Sequence, residues 1–259
     1  MKAKSGVEPL RSGGYGGTQY HDNGQPIINA SGTSYALEYN KDLGNILPDW
    51  NGGFNFDVNY KNFSLGAFIE FQKGGKFYSI SRMFGAYSGL VDETVGNNAL
   101  GNSVRDPLVD SNGNTTYYDP VEDEMVPYAS LPAGQVSSNS GGVLLEGVDA
   151  NGNPVSYYVE SVTYWGNLFY NKEEWLEDAS YVKLRELELT YNLSANTLER
   201  LPINRASVSL VAMNPLLIYS SVDGVDPSAI QNNATGFGFW EGGTLPGTRS
   251  FGFNINVGF

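Results

Sequence analysis

The sequence predicts an all-β protein built from antiparallel strands that are joined by loops of unequal length. The chain of 259 residues is rich in Gly (32), Tyr (17) and Phe (13), a mixture of turn formers and strand formers. Apolar and polar residues alternate over several segments of about ten residues, as they do in a strand with two different faces. Stretches rich in Gly, Asn and Asp separate these segments.

The first two alternating segments predict a β-hairpin within residues 54–79. Apolar side chains occupy every second position along Phe54–Tyr60 and again along Phe63–Phe71. A two-residue turn at Lys61-Asn62 places both apolar sets on one face of the hairpin. Asn62 can tolerate the positive φ angle that such a turn requires.

Residues 180–259 predict the last three strands of the chain. These strands are Ser180–Leu193, Ala206–Tyr219 and Ser250–Phe259. The alternation of the first strand changes phase near Leu184–Leu187, which predicts a β-bulge or the point where the strand leaves a membrane. Pro215 predicts a bulge or an edge position in the second strand, because proline lacks the N–H group that a strand ladder needs.

Two regions lack long alternating segments. Residues 1–53 predict loop and irregular strand, and residues 80–179 predict one long acidic loop. We expect small hairpins inside the long loop, because a structureless segment of this length is unusual in a compact domain. Val109–Asn114 and Val148–Asn153 resemble each other, and each contains an Asn-Gly dipeptide that favours a turn.

Charge and composition exclude several functions. The formal net charge is −13 and the pI is about 4.4, without any Lys/Arg cluster, so no nucleic acid is expected as a partner. The chain has no cysteine, which excludes disulfides, zinc–thiolate sites and thiol catalysis. The sequence has no apolar run long enough for a transmembrane helix, but a transmembrane β-strand needs only about 9–11 residues.

Three features favour a membrane β-barrel over a soluble β-sandwich, which is the alternative. The polar faces carry Asn, Ser, Thr, Gly and Glu rather than Lys. The strands have about the length of a tilted membrane crossing. The connections alternate between short (61–62 and 195–205) and long (80–179 and 221–249), as in outer-membrane proteins. The sequence therefore predicts the C-terminal portion of a transmembrane β-barrel with long extracellular loops.

Five distinctive segments lie within residues 43–259. They are Leu43–Gly53 (LGNILPDWNGG), Tyr60–Phe63 (YKNF), Asp178–Glu186 (DASYVKLRE), Asn214 with Asp226-Pro227, and Pro246–Phe251 (PGTRSF). In sequence and order they resemble motifs of SusC/RagA-type TonB-dependent transporters. Pro215 departs from the residue that usually follows Asn in the family's "NLF…DPE" stretch. The motif residues singled out are Trp50, Asp178, Tyr181, Asn214, Asp226, Arg249 and Phe259.

The resemblance implies a fragment of a barrel of about 22 strands with a plugged lumen. It implies import of glycans or other large nutrients such as peptides across the Gram-negative outer membrane. The implied partners are outer-membrane lipid, a SusD-like lipoprotein, and TonB, which is reached through an N-terminal part that this chain lacks. The signal peptide and plug domain are absent here, so we expect Met1 to be an internal boundary and the chain alone not to transport. No cofactor is implied.

Four loop aromatics are candidates for nutrient contact. They have the flat rings that stack on sugars, although they could equally pack beneath the loops or against the lipoprotein. These residues are Tyr164, Trp165, Trp175 and Trp240. The alternative function is that of a secreted carbohydrate-binding β-domain.

No catalytic residue or metal site is predicted. Glu173-Glu174 and Glu177-Asp178 are interpreted as a solvated loop rim rather than a pair of glycosidase carboxylates. Asp110–Asn114 has the start of a calcium loop but lacks Glu at the twelfth position, so a turn is favoured. His21, the single histidine, has no nucleophile or acid arranged around it. The protein is therefore not expected to be an enzyme.

Overall fold

The computed structural model describes residues 10–11, 16–199, 202–229, 240–241 and 247–259, so Pro246 and the middle of the 221–249 loop lie outside the described residues. The helices are α1 (Ile80–Tyr87), α2 (Ser161–Leu168) and α3 (Ala195–Leu198), with 3-10 turns at Asp92–Thr94, Ala133–Gln135 and Pro227–Ala229. The strands are β1 (Leu10–Arg11), β2 (Gly16–Thr18), β3 (Leu37–Tyr39), β4 (Asp42–Gly44), β5 (Trp50–Tyr60), β6 (Phe63–Lys73), β7 (Lys76–Ser79), β8 (Thr116–Asp119), β9 (Glu124–Pro127), β10 (Ser130–Pro132), β11 (Val143–Val148), β12 (Pro154–Val159), β13 (Leu176–Asp178), β14 (Tyr181–Asn192), β15 (Arg205–Ser220), β16 (Trp240–Glu241) and β17 (Ser250–Gly258).

The chain divides into two compact units. The first unit comprises Met1–Gly44 and Tyr78–Leu176, and the second comprises Asn45–Phe77 and Glu177–Phe259. Among the described helices, none has both the length and the apolar character needed to cross a bilayer.

The second unit contains a five-stranded antiparallel sheet in the order β17-β15-β14-β6-β5. The predicted hairpin is confirmed, with Tyr60 opposite Phe63 and Val58 opposite Leu65. Its first strand begins at Trp50, four residues before the predicted start. The positive φ of the turn belongs to Lys61 (54°) rather than to Asn62, which corrects the predicted position.

The predicted irregularities of the last strands are confirmed. The register of β14 shifts between Leu184 and Glu186 against both of its neighbours, β6 and β15. On β15 the same irregularity contains Asn214, with a φ of 49°, and Pro215. The bulge lets the sheet accept a proline without breaking the ladder on either side.

The five strands form an open sheet. Its edges are β5 and β17, and the sheets of the described chain are not closed into a barrel. The antiparallel, mostly β fold that was predicted is observed, and closure into the predicted barrel is not observed among the described residues.

The first unit is more ordered than a predicted loop of residues 80–179 would be. The expected small hairpins are present as β8–β9 and β11–β12, and β10 pairs with the other edge of β12. The Asn151-Gly152 turn joins β11 to β12, as predicted from the dipeptide. The segment around Ile28 extends this sheet, because the Ile28 N–H donates to the carbonyl of Val148 (2.8 Å).

Several small hydrophobic clusters stabilise the first unit. One is formed by α1 and α2 and contains Met83, Leu168 and the fully buried Trp175. A second packs Ile28 against Leu145 and Val159 of the β11–β12 hairpin. The burial of apolar side chains explains why this acidic, turn-rich stretch holds a defined structure.

Candidate functional site

The five-stranded sheet has one continuous apolar face. Its strands are aligned so that apolar side chains form rows that cross all five strands. Most of the large side chains in these rows are exposed, with Phe253 74% and Leu210 61% exposed, whereas the small Ala67 is buried (5% exposed). Three complete rows are Phe56–Ala67–Leu187–Ala212–Phe251, Val58–Leu65–Leu189–Leu210–Phe253 and Tyr60–Phe63–Tyr191–Val208–Ile255.

The opposite face of the same sheet is polar. One row across the strands consists of Asn59, Ser64, Thr190, Ser209 and Asn254. Its members bond to each other, since the hydroxyls of Thr190 and Ser209 lie 2.7 Å apart and the Ser64 hydroxyl donates to the Asn59 amide oxygen (2.5 Å). A sheet that exposes large apolar side chains on one face and a hydrogen-bonded polar row on the other is suited to separate two solvents.

Aromatic residues mark both ends of the apolar face. Trp50 and Tyr60 are the first and last residues of β5 and are 73% and 67% exposed. The ring of Phe63 contacts that of Tyr191 at 4.9 Å beside Tyr60. Aromatic girdles at this spacing are typical of the two interfaces of a membrane-spanning sheet.

The glycine pair after Trp50 makes room for aromatic rings of the neighbouring strand. A Cβ atom on Gly53 would lie 2.5 Å from the ring of Phe68, and one on Gly52 would lie 3.0 Å from Phe71. The rings cover the glycine backbone and compensate for the missing side chains. This packing explains why two glycines follow Trp50 in the Leu43–Gly53 motif.

The Asp178–Tyr181 motif joins strands at the end of the sheet where Trp50 lies. The Asp178 carboxylate accepts a hydrogen bond from the N–H of Ser180 (2.7 Å), and the Asp178 carbonyl accepts one from the Ser221 hydroxyl (2.5 Å). The Ser180 hydroxyl, which is buried, accepts a bond from the N–H of Gly74 (2.8 Å). The motif therefore connects the start of β14 to the ends of β6 and β15.

A polar network continues from this motif along the polar face. The Tyr181 hydroxyl donates to one carboxylate oxygen of Glu70 (2.7 Å), and the guanidinium of Arg185 forms an ion pair with the other. Arg185 also donates to the amide oxygen of Asn214 (3.0 Å). The β-bulge at Arg185 thus directs this side chain towards partners on both adjacent strands.

Asp226 anchors the segment that follows β15. It forms an ion pair with Lys183 of β14, whose side chain is 5% exposed. Partial burial would raise the pKa of the Asp226 carboxyl, but hydrogen bonds from Lys183 and Ser228 outweigh it and hold that pKa below its ordinary value. Asp226 is therefore a charged anchor in a partly buried place.

The remaining motif residues are exposed. Arg249 precedes β17, and Phe259 is 87% exposed just beyond the end of that strand. The predicted final strand is confirmed, and it pairs with β15 from Arg205–Gly258 to Met213–Ser250.

The aromatic candidates for nutrient contact differ widely in exposure. Trp175 is wrong as a candidate, because its side chain has no exposed surface and its Nε1 donates to the carbonyl of Leu168 (2.9 Å). Tyr164 and Trp165 are half-buried against the helical cluster, and burial raises the pKa of Tyr164. Trp165 Nε1 is buried and has no hydrogen-bond partner among the described residues. Trp240 retains 37% exposure.

An exposed aromatic cluster that the sequence did not reveal lies on the first unit. Phe84 and Tyr87 project from α1 and contact the ring of Phe169 at 5.6 and 5.8 Å, and Tyr170 contacts it at 5.6 Å. Phe84, Tyr87 and Tyr170 are each more than half exposed. The spacing of Phe84 and Tyr87 on a helix signals a shared face, but their proximity to Phe169 depends on packing between helices.

The loop that resembles a calcium site is a turn, as favoured by the sequence. One carboxylate oxygen of Asp110 accepts bonds from the N–H groups of Asn112 (2.9 Å) and Asn114 (2.8 Å), and the other accepts bonds from the Asn114 amide (3.1 Å) and the Tyr128 hydroxyl (3.0 Å). The backbone bond from Asn114, followed by the other donors, lowers the pKa of Asp110 to about 2. Both oxygens are occupied by protein donors.

The other polar candidates have structural partners. Glu173 accepts bonds from the N–H of Thr18 (2.9 Å) and from Lys41 (2.7 Å), so it joins the N-terminal segment to the rest of the first unit. The ring of His21 lies against Gly152, where a Cβ atom would approach it to 2.6 Å. Neither residue has neighbours that indicate catalysis.

No protein-family model matches the sequence. The chain is similar to TonB-dependent receptor P26 of Formosa agariphila, with 25% identity over 249 residues, which are 94% of this chain and 20% of the relative. Among solved structures, it resembles the RagAB peptide importer in its closed-closed and open-open states, with TM-scores of 0.51, identities of 19% and 18%, and 95% of this chain covered in each case. The chain spans about a fifth of the length of these relatives.

These similarities and the two-faced sheet define the class of protein. The chain corresponds in sequence to a portion of a TonB-dependent receptor and in fold to a portion of the RagAB importer. Receptors of this class lie in the outer membrane of Gram-negative bacteria, and they transport rather than catalyse.

Proposed function

We propose that the chain forms part of the wall of a transmembrane β-barrel that imports large nutrients. The observation that carries this proposal is the exposed apolar face, which is five strands wide and bounded by Trp50 and Tyr60. Exposed apolar surface of this extent is unfavourable in water and favourable in lipid. The apolar face is assigned to lipid and the polar face to the lumen.

The dimensions of β5 agree with this assignment. The strand has 11 residues, so Trp50 and Tyr60 are separated by about 34 Å along it at about 3.4 Å per residue. A tilt of about 40° reduces this to about 26 Å of depth, close to the apolar band of about 25 Å in outer-membrane barrels. The backbone groups of the three inner strands, β6, β14 and β15, bond to a strand on each side, as lipid requires.

Cysteine substitution tests the two faces in cells that produce the protein, because the chain contains no native cysteine. Single variants at Phe253 and Ile255 should react with lipid-soluble maleimide only. Variants at Asn254 and Asn256 of the same strand should react with a water-soluble reagent. Equal aqueous labelling of all four positions would contradict the proposal and support the secreted carbohydrate-binding β-domain instead.

We infer a role for the exposed aromatic cluster of the first unit, defined as Phe84, Tyr87, Phe169 and Tyr170. Its rings meet edge to face, with interplanar angles of 64–76°. This arrangement offers an uneven apolar surface rather than one flat stacking platform for a sugar ring. Aromatic side chains are enriched in the buried centres of protein interfaces. The cluster is therefore assigned to contact with a SusD-like lipoprotein.

The nutrient is assigned to the class of glycans or peptides. The proposed contacts with it are Trp240, which is the exposed aromatic among those suggested by the sequence, and the half-buried Tyr164 and Trp165. Co-purification separates the two roles. The double variant Phe84→Ala/Tyr170→Ala should lose the lipoprotein from the purified complex, whereas Trp240→Ala should retain it and weaken nutrient binding. Retention of the lipoprotein by the double variant would refute the role of the cluster.

A further inference from the structure

A buried ion pair lies on the polar face of the five-stranded sheet. Lys183 is 4% exposed and pairs with Asp226, and its Nζ also donates to the Ser228 hydroxyl (2.9 Å). The other Asp226 oxygen accepts bonds from the N–H (3.0 Å) and the hydroxyl (2.6 Å) of Ser228. Both charges therefore have well-defined partners, and removal of either partner would leave the other charge buried.

The position of this pair shows that the chain folds back after β15. Lys183 lies opposite Leu217, within the sheet, whereas Asp226 follows the last residue of β15, Ser220. The chain must therefore turn and return over the sheet for Asp226 to reach Lys183. It returns on the polar side, because Lys183 lies opposite Glu70 of that face.

The base of the folded-back segment is held by different contacts. Val222 is 9% exposed and packs with Phe77 and Ala179 in a small apolar cluster. The N–H of Ser221 donates to the carbonyl of Ser180 (3.1 Å). These contacts hold residues 221–222, and Val225 packs against the same cluster. The ion pair supplies the polar attachment of residues 226–228.

The other end of the same connection also lies at the ion pair. A Cβ atom on Gly247 would stand 3.3 Å from the Asp226 carboxylate and 3.5 Å from Lys183 Nζ. Next to Gly247, the Thr248 carbonyl lies 3.5 Å from the amide nitrogen of Asn214. Residues 221–229 and 247–249, the two described ends of the β15–β17 connection, therefore meet at one buried charge pair.

We propose that the Lys183–Asp226 pair is a latch that holds residues 226–229 of the β15–β17 connection over the polar face of the sheet, beside residues 247–249. This inference rests on the proposed function for one point, namely that the polar face lines the lumen. The latched segment then covers the lumen at the long-loop end of the strands. Breaking the pair releases residues 226–229 while the sheet stays intact.

Hydrogen exchange of the folded full chain tests the latch without reference to the membrane. Asp226→Asn removes the charge with little change in shape, and Ser228→Ala removes the shared hydroxyl without leaving a charge unpaired. We expect amide exchange in 226–229 to accelerate at least tenfold in the first variant and several-fold in the second, while the amides of Ser221 and Val222, which other contacts hold, change less. Exchange in the cores of β14 and β15 should change less than twofold. Glu93→Gln, which breaks the exposed Arg82–Glu93 pair of the first unit, is the matched control and should leave 221–229 unchanged.

Two results would overturn the latch. Unchanged exchange of 226–229 in both variants would show that other contacts hold the segment. Equal acceleration across the sheet in Ser228→Ala would show that the pair supports the whole fold rather than one segment. If Asp226→Asn does not fold, the milder Ser228→Ala variant decides the question alone.

Labelling of the polar face tests the consequence for the lumen. Glu188 lies on the polar face of β14, towards the end away from Lys183. In cells, a Glu188→Cys variant should react faster with an external water-soluble maleimide when Asp226→Asn is added. The labelling rate should rise by about the same factor as the amide exchange rate of the latched segment. An unchanged rate would refute the covering role. Failure of the proposed function is distinguishable, because it would abolish the difference in labelling between Phe253 and Asn254 whether or not the latch is present.

Discussion

The assignment of lipid to one face of β5 predicts opposite effects of the same charge at adjacent positions. Phe56 lies on the apolar face and Asn55 on the polar face of the strand. Phe56→Arg places a guanidinium in lipid, whereas Asn55→Arg places it in the aqueous lumen. The two variants have the same added charge at nearly the same depth, so their difference isolates the solvent of each face.

The expected magnitude follows from the position of Phe56 in the strand. It precedes Tyr60 by four residues, about 14 Å along the strand, and therefore about 10 Å of depth at a tilt of about 40°. This position is near the middle of an apolar band of about 25 Å, where Arg costs about 2–4 kcal/mol. We expect the folding equilibrium to fall by roughly 30- to 700-fold, at tenfold for about 1.4 kcal/mol. Asn55→Arg should change stability by about 0.5 kcal/mol or less, as is usual for solvated surface positions.

Denaturant unfolding of the protein in lipid vesicles measures both variants against the wild type. Phe56→Leu serves as a control for the loss of the aromatic ring. The reasoning would be refuted if the two arginine variants were equally stable, or if Asn55→Arg were the less stable of the two. Either result would mean that the apolar face does not contact lipid.

Three further predictions concern the packing and the charges of the two units. Gly53→Ala should destabilise the sheet by about 1–3 kcal/mol in unfolding experiments, because its Cβ would lie 2.5 Å from an aromatic ring, whereas Gly252→Ala, with open space around it, should be tolerated. Glu173→Gln should lower the stability of the first unit by about 1.5–3 kcal/mol, since it weakens charged hydrogen bonds. Glu93→Gln, which removes the charge from a more exposed ion pair, should lower it by about 1 kcal/mol or less. Unfolding curves of the two variants compare these losses. The hydrogen bonds to Asp110 should stabilise the turn fully above pH about 3.9, the pKa of this carboxyl in the unfolded chain. This stabilisation should be lost as the pH falls through about 2, its pKa in the folded chain. The NMR shifts of the amides bonded to Asp110 follow the titration, and a midpoint near 4 would contradict the bonded geometry.

The sheet of the second unit could be predicted from the sequence because its signals are local. Period-two alternation fixes which side chains share a face, and the tight turn after Tyr60 then fixes the register of β5 with β6. The phase change near Leu184 and the proline at 215 marked the bulge for the same reason, since each reports on the residues beside it. The start of β5 was placed late because Gly52 and Gly53 are poor strand formers, and the aromatic rings that cover them belong to another strand.

The first unit could be predicted only in part, because its contacts join residues far apart in the chain. The N–H of Thr18 bonds to Glu173, across 155 residues, and no local pattern in either segment signals this contact. The burial of Trp175 has the same origin. A tryptophan between acidic residues has the composition of an exposed loop, and only the packing of α1 and α2 encloses it. An aromatic ring in a loop is equally consistent with ligand contact and with a core position until its neighbours are known.

The motifs that carried the family resemblance lie far apart in the sequence, and the structure gives a physical reason for their association. The Asp49 N–H donates to the carbonyl of Lys73 (2.8 Å), and the Gly74 N–H donates to the hydroxyl of Ser180 (2.8 Å). Asp226 reaches Lys183 in the strand that follows Ser180. The first two bonds satisfy backbone N–H groups where a strand of the sheet ends and its ladder no longer supplies a partner. The residues of these motifs are therefore anchors near one end of the sheet, and substitution of one anchor should loosen the adjoining connections more than the strands themselves.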